Sequence, residues 1–304
     1  MGYDCVVCVK QVPDTSNVTG DAMKDDGTVN RAALPAIFNP EDLNALEAAL
    51  EIRDRFGGTV TAITMGPPGA CEVLRECLSR GADRVVLITD RRAAASDTLA
   101  TSYILSQAVR VLGSYAFVFC GRQAIDGDTA QVGPQMAEKL GVPQVTYFEK
   151  LVDLRDRTVR VRRNTGSGWE IVESPVPVLI TVLDTANEAR PAAVRRLIRY
   201  KRSRAPIEIE KEVAQDMPEA PEAARAAEVA RRVQALKDAG LLITQWSLDD
   251  IKADLTWCGL AGSPTKVHRI QSIILTKEGY TEIPPTKEGV RQLVHELIVD
   301  HTIG

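Results

Sequence analysis

Short runs of β-branched and apolar residues alternate with helix-like segments through residues 5–140. Each predicted strand leads into a loop and then a helix, which is the repeating unit of a parallel sheet covered by helices on both faces. The sequence therefore predicts an α/β fold with a parallel, doubly wound sheet. The predicted strands are residues 5–9, 59–65, 84–88 and 115–120, and the predicted helices are residues 40–55, 71–80, 98–112 and 134–140.

The helix predicted over residues 40–55 has clear boundary signals. Asn39 is a predicted N-cap, Pro40 suits the first helical position, and acidic residues follow in the first turn. Gly57 and Gly58 end the helix.

Residues 145–183 have a different pattern, in which the turn-like segments 155–157 and 164–168 separate short β-like runs. Runs joined by tight turns favour antiparallel hairpins over helical crossovers. We therefore predict that an antiparallel meander completes the sheet domain. Its predicted strands are residues 145–154, 158–163, 169–172 and 176–183.

Composition excludes several classes of protein. The chain has 304 residues, of which 44% are hydrophobic and 26% charged, as is typical of a folded globular protein. The net charge of -4 gives no basic surface for nucleic acid. No apolar run approaches the roughly 20 residues that span a bilayer, and the N-terminus lacks a signal-peptide pattern. We expect a cytoplasmic protein without a membrane span.

The cysteines and histidines do not predict a metal site. Cys5 and Cys8 have the C-x-x-C spacing of metal and redox pairs. Because residues three apart in a strand point to opposite faces, we interpret both as buried apolar residues. The three histidines all lie in the C-terminal part of the chain.

The loop after the fourth predicted strand carries the strongest functional signal. Residues 121–134 read GRQAIDGDTAQVGP and lie between that strand and a predicted helix. Glycines allow close approach of backbone N–H groups, and a helix N-terminus adds unpaired donors, so the loop suits a phosphate. An ordinary strand-to-helix loop is the alternative, since the P-loop and G-x-G-x-x-G patterns are both missing.

Asp126 and Asp128 are the acidic residues of this loop. No nucleophile accompanies them, so we predict no catalytic residue and assign them to loop shape and ribose contact. We expect the backbone N–H groups of residues 126–132 to hold the phosphates. Thr129 and Gln131 add a hydroxyl and an amide at the helix entrance, and Arg122 adds positive charge.

The same loop sequence closely resembles the nucleotide loop of the β subunit of electron-transfer flavoproteins. Further motifs of that family occur in the expected order: CVKQVPD at 8–14, NPEDLNALEAA at 39–49, MGP at 65–67, GADR at 81–84 and NEARP at 187–191. The resemblance covers about residues 1–205 and, more weakly, the tail. The family's acidic glycine turn is replaced here by NTGSG at 164–168.

The resemblance implies an adenine-nucleotide α-hydrolase-like sheet, an antiparallel meander and a C-terminal helical extension. It divides the chain into a nucleotide-binding domain at 1–185, a partner-recognition segment at 186–212 and an extension at 213–304 that contacts the α subunit. The implied cofactor-binding residues are Cys8, Val9, Lys10, Asn39, Asp42, Met65, Gly121, Arg122, Gln123, Ala124, Ile125, Asp126, Gly127, Asp128, Thr129, Ala130, Gln131 and Val132.

The implied partner-recognition residues are Val194, an apolar anchor, and its neighbours Arg195 and Arg196. They lie in a basic stretch, residues 190–204, and an apolar tip among cations suits docking with electrostatic steering. A solvated helix face followed by a linker is the alternative. Residues 214–232 are interpreted as a linker and a surface helix, and 289–301 as a closing helix.

The implied function is electron transfer with an α subunit as partner. In the electron-bifurcating branch of the family the β subunit binds FAD, takes electrons from NADH, and serves an acyl-CoA or enoyl-CoA dehydrogenase and a low-potential ferredoxin-like acceptor. We favour this branch because small residues in the loop leave room for a ligand longer than AMP. The resemblance of GSPTKV at 262–267 to longer β subunits agrees with it.

Three alternatives stay open at this point. One is a simple β subunit that binds AMP and accepts electrons from acyl-CoA dehydrogenases. Another is a quinone-directed β subunit of the nitrogen-fixation-associated type. The third is a non-redox adenine-nucleotide-binding module, which does not account for residues 188–304.

Overall fold

The computed structural model describes residues 2–14, 34–265 and 282–299. In these residues the strands are β1 Cys5–Cys8, β2 Gln11–Pro13, β3 Ala36–Phe38, β4 Val60–Met65, β5 Arg84–Ile88, β6 Phe117–Gly121, β7 Gln144–Arg155, β8 Thr158–Asn164, β9 Trp169–Pro175, β10 Val178–Val182 and β11 Thr244–Trp246. The helices are α1 Pro40–Phe56, α2 Cys71–Arg80, α3 Thr98–Leu112, α4 Val132–Leu140, α5 Val194–Tyr200, α6 Pro206–Asp216, α7 Glu222–Asp238 and α8 Lys287–Val299.

A nine-stranded sheet organises the fold, with strand order β11-β5-β4-β1-β6-β10-β7-β8-β9. The strands from β11 to β7 are parallel, and β8 and β9 pair antiparallel at the far edge. From β1 the chain continues to β4 and β5 on one side and then returns to β6 on the other. The point where the strand order reverses therefore lies between β1 and β6, where open α/β sheets bind their ligands.

Helices cover both faces of the parallel strands. Val7 packs in a core layer with Leu46 of α1 and Leu74 of α2. Its neighbour Val6 packs in the opposite layer with Ile104 of α3 and Met136 of α4. Alternate residues of β1 are thus buried on opposite faces, which confirms the predicted doubly wound α/β architecture.

The two N-terminal cysteines follow the same alternation. Cys5 lies in the layer beneath α1 and α2, and Cys8 in the layer beneath α3 and α4. This confirms that they point to opposite faces. All six cysteines are buried free thiols, and burial raises the pKa of Cys77 well above its usual range, as expected of inert core residues.

The prediction for residues 176–183 is wrong in one respect. The segment forms β10, but β10 is parallel and lies between β6 and β7 instead of in an antiparallel meander. Every residue of β10 is buried, because helices cover both of its faces. Its mostly apolar run VLITV is typical of such a strand, whereas β7 buries only Val145, Phe148, Leu151 and Leu154. A strand with one partly exposed face is typical of the antiparallel meander that β7, β8 and β9 form.

The chain after residue 200 adds to this same sheet. Helices α6 and α7 pack on each other, and β11 joins the sheet in parallel beside β5. No residue of α7 is buried, which confirms the predicted surface helix. Helix α7 extends beyond the predicted end at residue 232, and α6 occupies part of the expected linker. Helix α8 occupies most of the predicted closing helix, while His301 and the Lys266-Val267 end of the tail motif lie outside the described residues.

No helix among the described residues has both the length and the apolar character needed to cross a bilayer.

Candidate nucleotide-binding site

The candidate site lies at the carboxyl ends of β1, β4 and β6, where the predicted residues converge. β1 ends beside Val9 and Lys10, β4 ends at Met65, and β6 ends at Gly121, the first residue of the loop 121–131. β1 pairs directly with both β4 and β6, so these ends are neighbours in the sheet.

One buried carboxylate fastens two strand ends together. Asp42, in the first turn of α1, accepts the backbone N–H of Lys10 at 2.9 Å and that of Gly121 at 3.0 Å. Burial raises the pKa of Asp42 to about 7, against the lowering effect of these contacts and of Asn39. Asp42 therefore holds the ends of β1 and β6 in fixed positions relative to each other.

Asn39 and Glu41 hold the next part of the loop. The Asn39 side-chain amide donates to the carbonyl of Gln123 at 2.8 Å and accepts the N–H of Ile125 at 3.1 Å. Glu41 accepts the N–H of Gln123 at 2.7 Å and pairs with Arg122 at 2.9 Å. Asn39 occupies the predicted N-cap position, but capping by its side chain is wrong, because that side chain binds the loop instead.

Burial also raises the pKa of Glu41 above its usual value, and its bonds to Gln123 and Arg122 counteract this rise. Glu41 was missed as a site residue. The only sequence signal was its position between Pro40 and Asp42 in the first helical turn. Acidic residues are common at that position in helices of any function, so the signal does not identify a site.

Glycine is required where the loop crosses α1. A Cβ on Gly121 would lie 2.5 Å from Oδ1 of Asp42 and 2.8 Å from its backbone nitrogen. On the other side of the loop, a Cβ on Gly133 would lie 2.8 Å from Cγ2 of Thr181 in β10. These two glycines allow the close approach of the loop to α1 and of α4 to the sheet.

The middle of the loop forms a tight turn. The N–H groups of Gly127 and Asp128 both bond to the carbonyl of Ala124, at 3.2 and 2.9 Å. They are therefore engaged within the turn, so the expectation that all of residues 126–132 offer free N–H groups is too broad. Asp128 and Ala130 have positive φ angles of 48° and 52°, a strained conformation that bends the chain toward α4.

Four consecutive amides beyond the turn have no hydrogen-bond acceptor in the part of the chain that the structure describes. They belong to Thr129, Ala130, Gln131 and Val132, and they lead directly into the N-terminus of α4. Unpaired N–H groups at a helix N-terminus form an anion-binding arrangement. A Cβ on Gly127 would meet no atom within 4 Å, so the space beside this turn is open.

Positive charge lies on both sides of the loop. Nζ of Lys10 contacts both carboxylate oxygens of Asp126 at 2.7 Å. Nε of Arg122 is buried and has no hydrogen-bond partner among the described residues. The Lys10–Asp126 pair is solvent-accessible and contributes little to stability, so Lys10 is able to exchange partners.

Other predicted residues take part only indirectly. The Cys8 thiol lies 3.9 Å from the Met136 sulfur, beneath α4, so only the Cys8 backbone faces the site. Met65 packs against the same core layer. The Gln131 side chain accepts a hydrogen bond from Thr98 of α3 at 2.8 Å, a contact for which the sequence offers no signal.

Val194, Arg195 and Arg196 lie on α5, which packs on α2 and does not join the loop. Val194 is 71% exposed. The structure thus separates the predicted partner residues from the nucleotide loop.

A family model described as "Electron transfer flavoprotein domain" matches residues 26–235, which include the start of α1 and the loop 121–131 of this site. The chain belongs to the electron transfer flavoprotein family. "Electron transfer flavoprotein subunit beta" of Clostridium acetobutylicum is 40% identical over 298 residues, covering 98% of this chain and 99% of that protein.

Two further relatives carry different names. "Protein FixA" of Bradyrhizobium diazoefficiens is 42% identical over 272 residues, covering 87% of this chain and 81% of its own length. "Acryloyl-CoA reductase electron transfer subunit gamma" of Anaerotignum propionicum is 41% identical over 304 residues, covering 98% of each chain. The resemblance to the β subunit is therefore confirmed, and this is a family of electron-transfer flavoproteins.

Proposed function

We propose that this chain binds FAD at the β1/β6 edge and works with an α subunit as an electron-bifurcating β subunit. NADH would donate the electrons. An acyl-CoA or enoyl-CoA dehydrogenase and a low-potential ferredoxin-like protein would accept them. The four unpaired amides of residues 129–132, beside the open space at Gly127, carry this proposal.

The residues at this edge fit a dinucleotide. The amides of residues 129–132 suit phosphate oxygens, and Lys10 and the Arg122 guanidinium that Glu41 holds lie nearby as cations. Small residues at Gly127 and Ala130 leave room for a ligand that extends beyond an AMP moiety. Asp126 would then exchange Lys10 for ribose hydroxyls.

When bound, FAD supplies the redox chemistry, since it accepts electrons in pairs and releases them singly. The chain itself orients this group: Asp42, Glu41 and Asn39 hold the loop, and the loop holds the phosphates. Electron transfer of this kind needs no general acid or base from the site.

A relative that bears the name of an acryloyl-CoA reductase electron transfer subunit matches over 98% of both chains, which supports a CoA-linked partner. The FixA proteins match at similar identity, so a quinone-directed β subunit is the second candidate. A simple AMP-binding carrier is the third.

The test is anaerobic titration of the purified heterodimer with NADH, followed by visible absorbance. Two flavins per heterodimer that NADH reduces, with electron delivery only when both acceptors are present, would support bifurcation. Delivery from NADH to a soluble quinone analogue alone would favour the second candidate. If NADH leaves every flavin oxidised while reduced butyryl-CoA dehydrogenase reduces them, the simple carrier replaces our proposal, and a colourless heterodimer would indicate a non-redox module.

A further inference from the structure

We infer that Glu47 and Arg190 are positioning residues that hold α5 in place for the redox partner. Glu47 lies on α1, the helix whose N-terminal end also holds the nucleotide loop. The inference rests on the proposed function and on the expectation from the sequence that Val194, Arg195 and Arg196, which lie on α5, contact the redox partner. It concerns the segment 187–193, which connects the end of the sheet domain to α5.

The segment is bound along one face of α1. Asn44 and Asn187 exchange hydrogen bonds: the Asn44 side chain donates to the Asn187 carbonyl at 2.7 Å, and the Asn187 side chain donates to the Asn44 carbonyl at 3.0 Å. One turn further along α1, Glu47 forms an ion pair with Arg190. Residues three apart on a helix share a face, so both contacts lie on one side of α1.

The contact between Glu47 and Arg190 is geometrically demanding. Nε and Nη2 of Arg190 donate to the buried Glu47 carboxylate at 2.9 Å, and the Arg190 backbone N–H donates to it at 3.0 Å. Nη1 reaches Asp54 at 2.8 Å. A planar guanidinium bound in this way fixes its own backbone as well as its side chain.

The segment then reaches the end of α2, where α5 begins. The N–H of Ala193 donates to the carbonyl of Ser79 at 3.1 Å, and the Arg80 side chain donates to the carbonyl of Arg190. From there α5 presents Val194, Leu197 and Ile198, which are all exposed. Successive turns of α1 thus hold the nucleotide loop through Asn39, Glu41 and Asp42, and the base of α5 through Asn44 and Glu47.

Because one helix holds both, it fixes the distance between the nucleotide and the docking surface. Loss of the Glu47–Arg190 contact should leave nucleotide binding intact and let α5 shift. Electron transfer to the partner would then weaken through docking, not through the chemistry of the flavin.

The experiment uses the heterodimer carrying the double substitution Glu47→Gln and Arg190→Gln. The double substitution leaves net charge unchanged and no unpaired buried charge, so it is safer for folding than either single change. The control is Asp216→Asn with Arg232→Gln, which removes the 2.8 Å ion pair between α6 and α7.

Butyryl-CoA dehydrogenase reduced by butyryl-CoA serves as the probe. In the Glu47/Arg190 variant we expect KM for this dehydrogenase to rise about tenfold, since small misplacements weaken productive contact. The values of kcat and of flavin content should match the parent. Hydrogen exchange at the amides of residues 197–201 should also be faster than in the parent and the control.

Unchanged exchange at residues 197–201, or a KM no higher than that of the control, would overturn the inference. The single variant Arg190→Lys keeps the charge but loses the bidentate geometry, and it should raise KM in the same direction. Val194→Asp separates the two proposals. If Val194→Asp leaves KM unchanged, the docking role of α5 is wrong. If Val194→Asp raises KM while the Glu47/Arg190 variant keeps the KM of the parent, only the positioning role is refuted.

Discussion

The carboxylate of Asp42 accepts the backbone N–H of Gly121 across 3.0 Å, and no side chain fits between them. The first turn of α1 is thereby joined to the carboxyl end of β6, on the far side of β1. The nucleotide loop starts at this junction, so its position depends on a contact between residues that are distant in sequence.

We expect Gly121→Ala to destabilise the fold. The new Cβ would lie 2.5 Å from Oδ1 of Asp42 and 2.8 Å from the carbonyl carbon of Glu41, so backbone must move. The cost should be about 2 kcal/mol or more in the free energy of unfolding, measured by urea denaturation. Gly127→Ala is the control, because its Cβ meets no atom within 4 Å, and equal stability of the two variants would contradict the steric argument.

Asp42 should also make stability depend on pH. Its pKa is about 7 in the folded protein and lower when unfolded, so between these values only the folded state binds the proton. The free energy of unfolding should therefore fall as pH rises through about 7, by an amount on the order of a few kcal/mol.

Asp42→Asn removes this titration, although it leaves one of the two backbone N–H groups without an acceptor and costs roughly 1–3 kcal/mol. The stability difference between parent and Asp42→Asn should shrink from about pH 5 to about pH 8. The control is Asp156→Asn in the exposed turn between β7 and β8, which shows how an Asp-to-Asn replacement changes stability without burial. A difference that stays constant with pH at Asp42 would refute the assignment.

Gly127→Val should lower the nucleotide content of the purified protein without unfolding it. The φ angle of Gly127 lies outside the left-handed region and the space around it is open, so the fold tolerates the side chain while a bound ligand does not. We expect an affinity loss of about tenfold or more, as for a misplaced methyl-bearing group in a tight site. Chromatography of the released nucleotide provides the measurement.

Gly168→Val is the matched control for that experiment. Gly168 lies in the hairpin between β8 and β9, also with open surroundings and an ordinary φ. Full nucleotide content in Gly127→Val would show that the ligand binds elsewhere.

Val194→Asp should weaken docking of the dehydrogenase while leaving the melting temperature within about 2 °C of the parent, since an exposed substitution changes stability little. Val194 is 71% exposed and contributes little buried surface to the fold. The KM for butyryl-CoA dehydrogenase is the measured quantity. Val111→Asp, on the exposed side of α3, is the control, and an equal KM for the two variants would exclude α5 as the docking element.

The strands β1, β4, β5 and β6 and the helices α1 to α4 followed from local sequence. Helices α2 and α3 and strand β5 have their predicted bounds, because glycines, caps and apolar runs mark them directly. The loop 121–131 was likewise recognisable from its glycines and from its place between a strand and a helix.

The pairing of elements could not be read from local pattern. β10 resembled the last strand of a meander, yet it is inserted between β6 and β7, since a fully buried apolar strand is most stable under helices on both faces. β11 pairs with β5, with Thr244 opposite Val86, and no local signal specifies a contact between segments so distant in sequence.

The sequence by itself determined the main alternation of strands and helices through residues 5–140, the glycine loop and the acidic start of α1. Only the tertiary structure decided what those acids do. Asn39, Glu41 and Asp42 have the composition of an ordinary helix cap and first turn, but burial beside the ends of β1 and β6 leaves the loop amides as their hydrogen-bond partners. Burial of a carboxylate is costly unless hydrogen-bond donors contact it. Its role therefore depends on the donors that the tertiary fold places beside it and not on its neighbours in sequence.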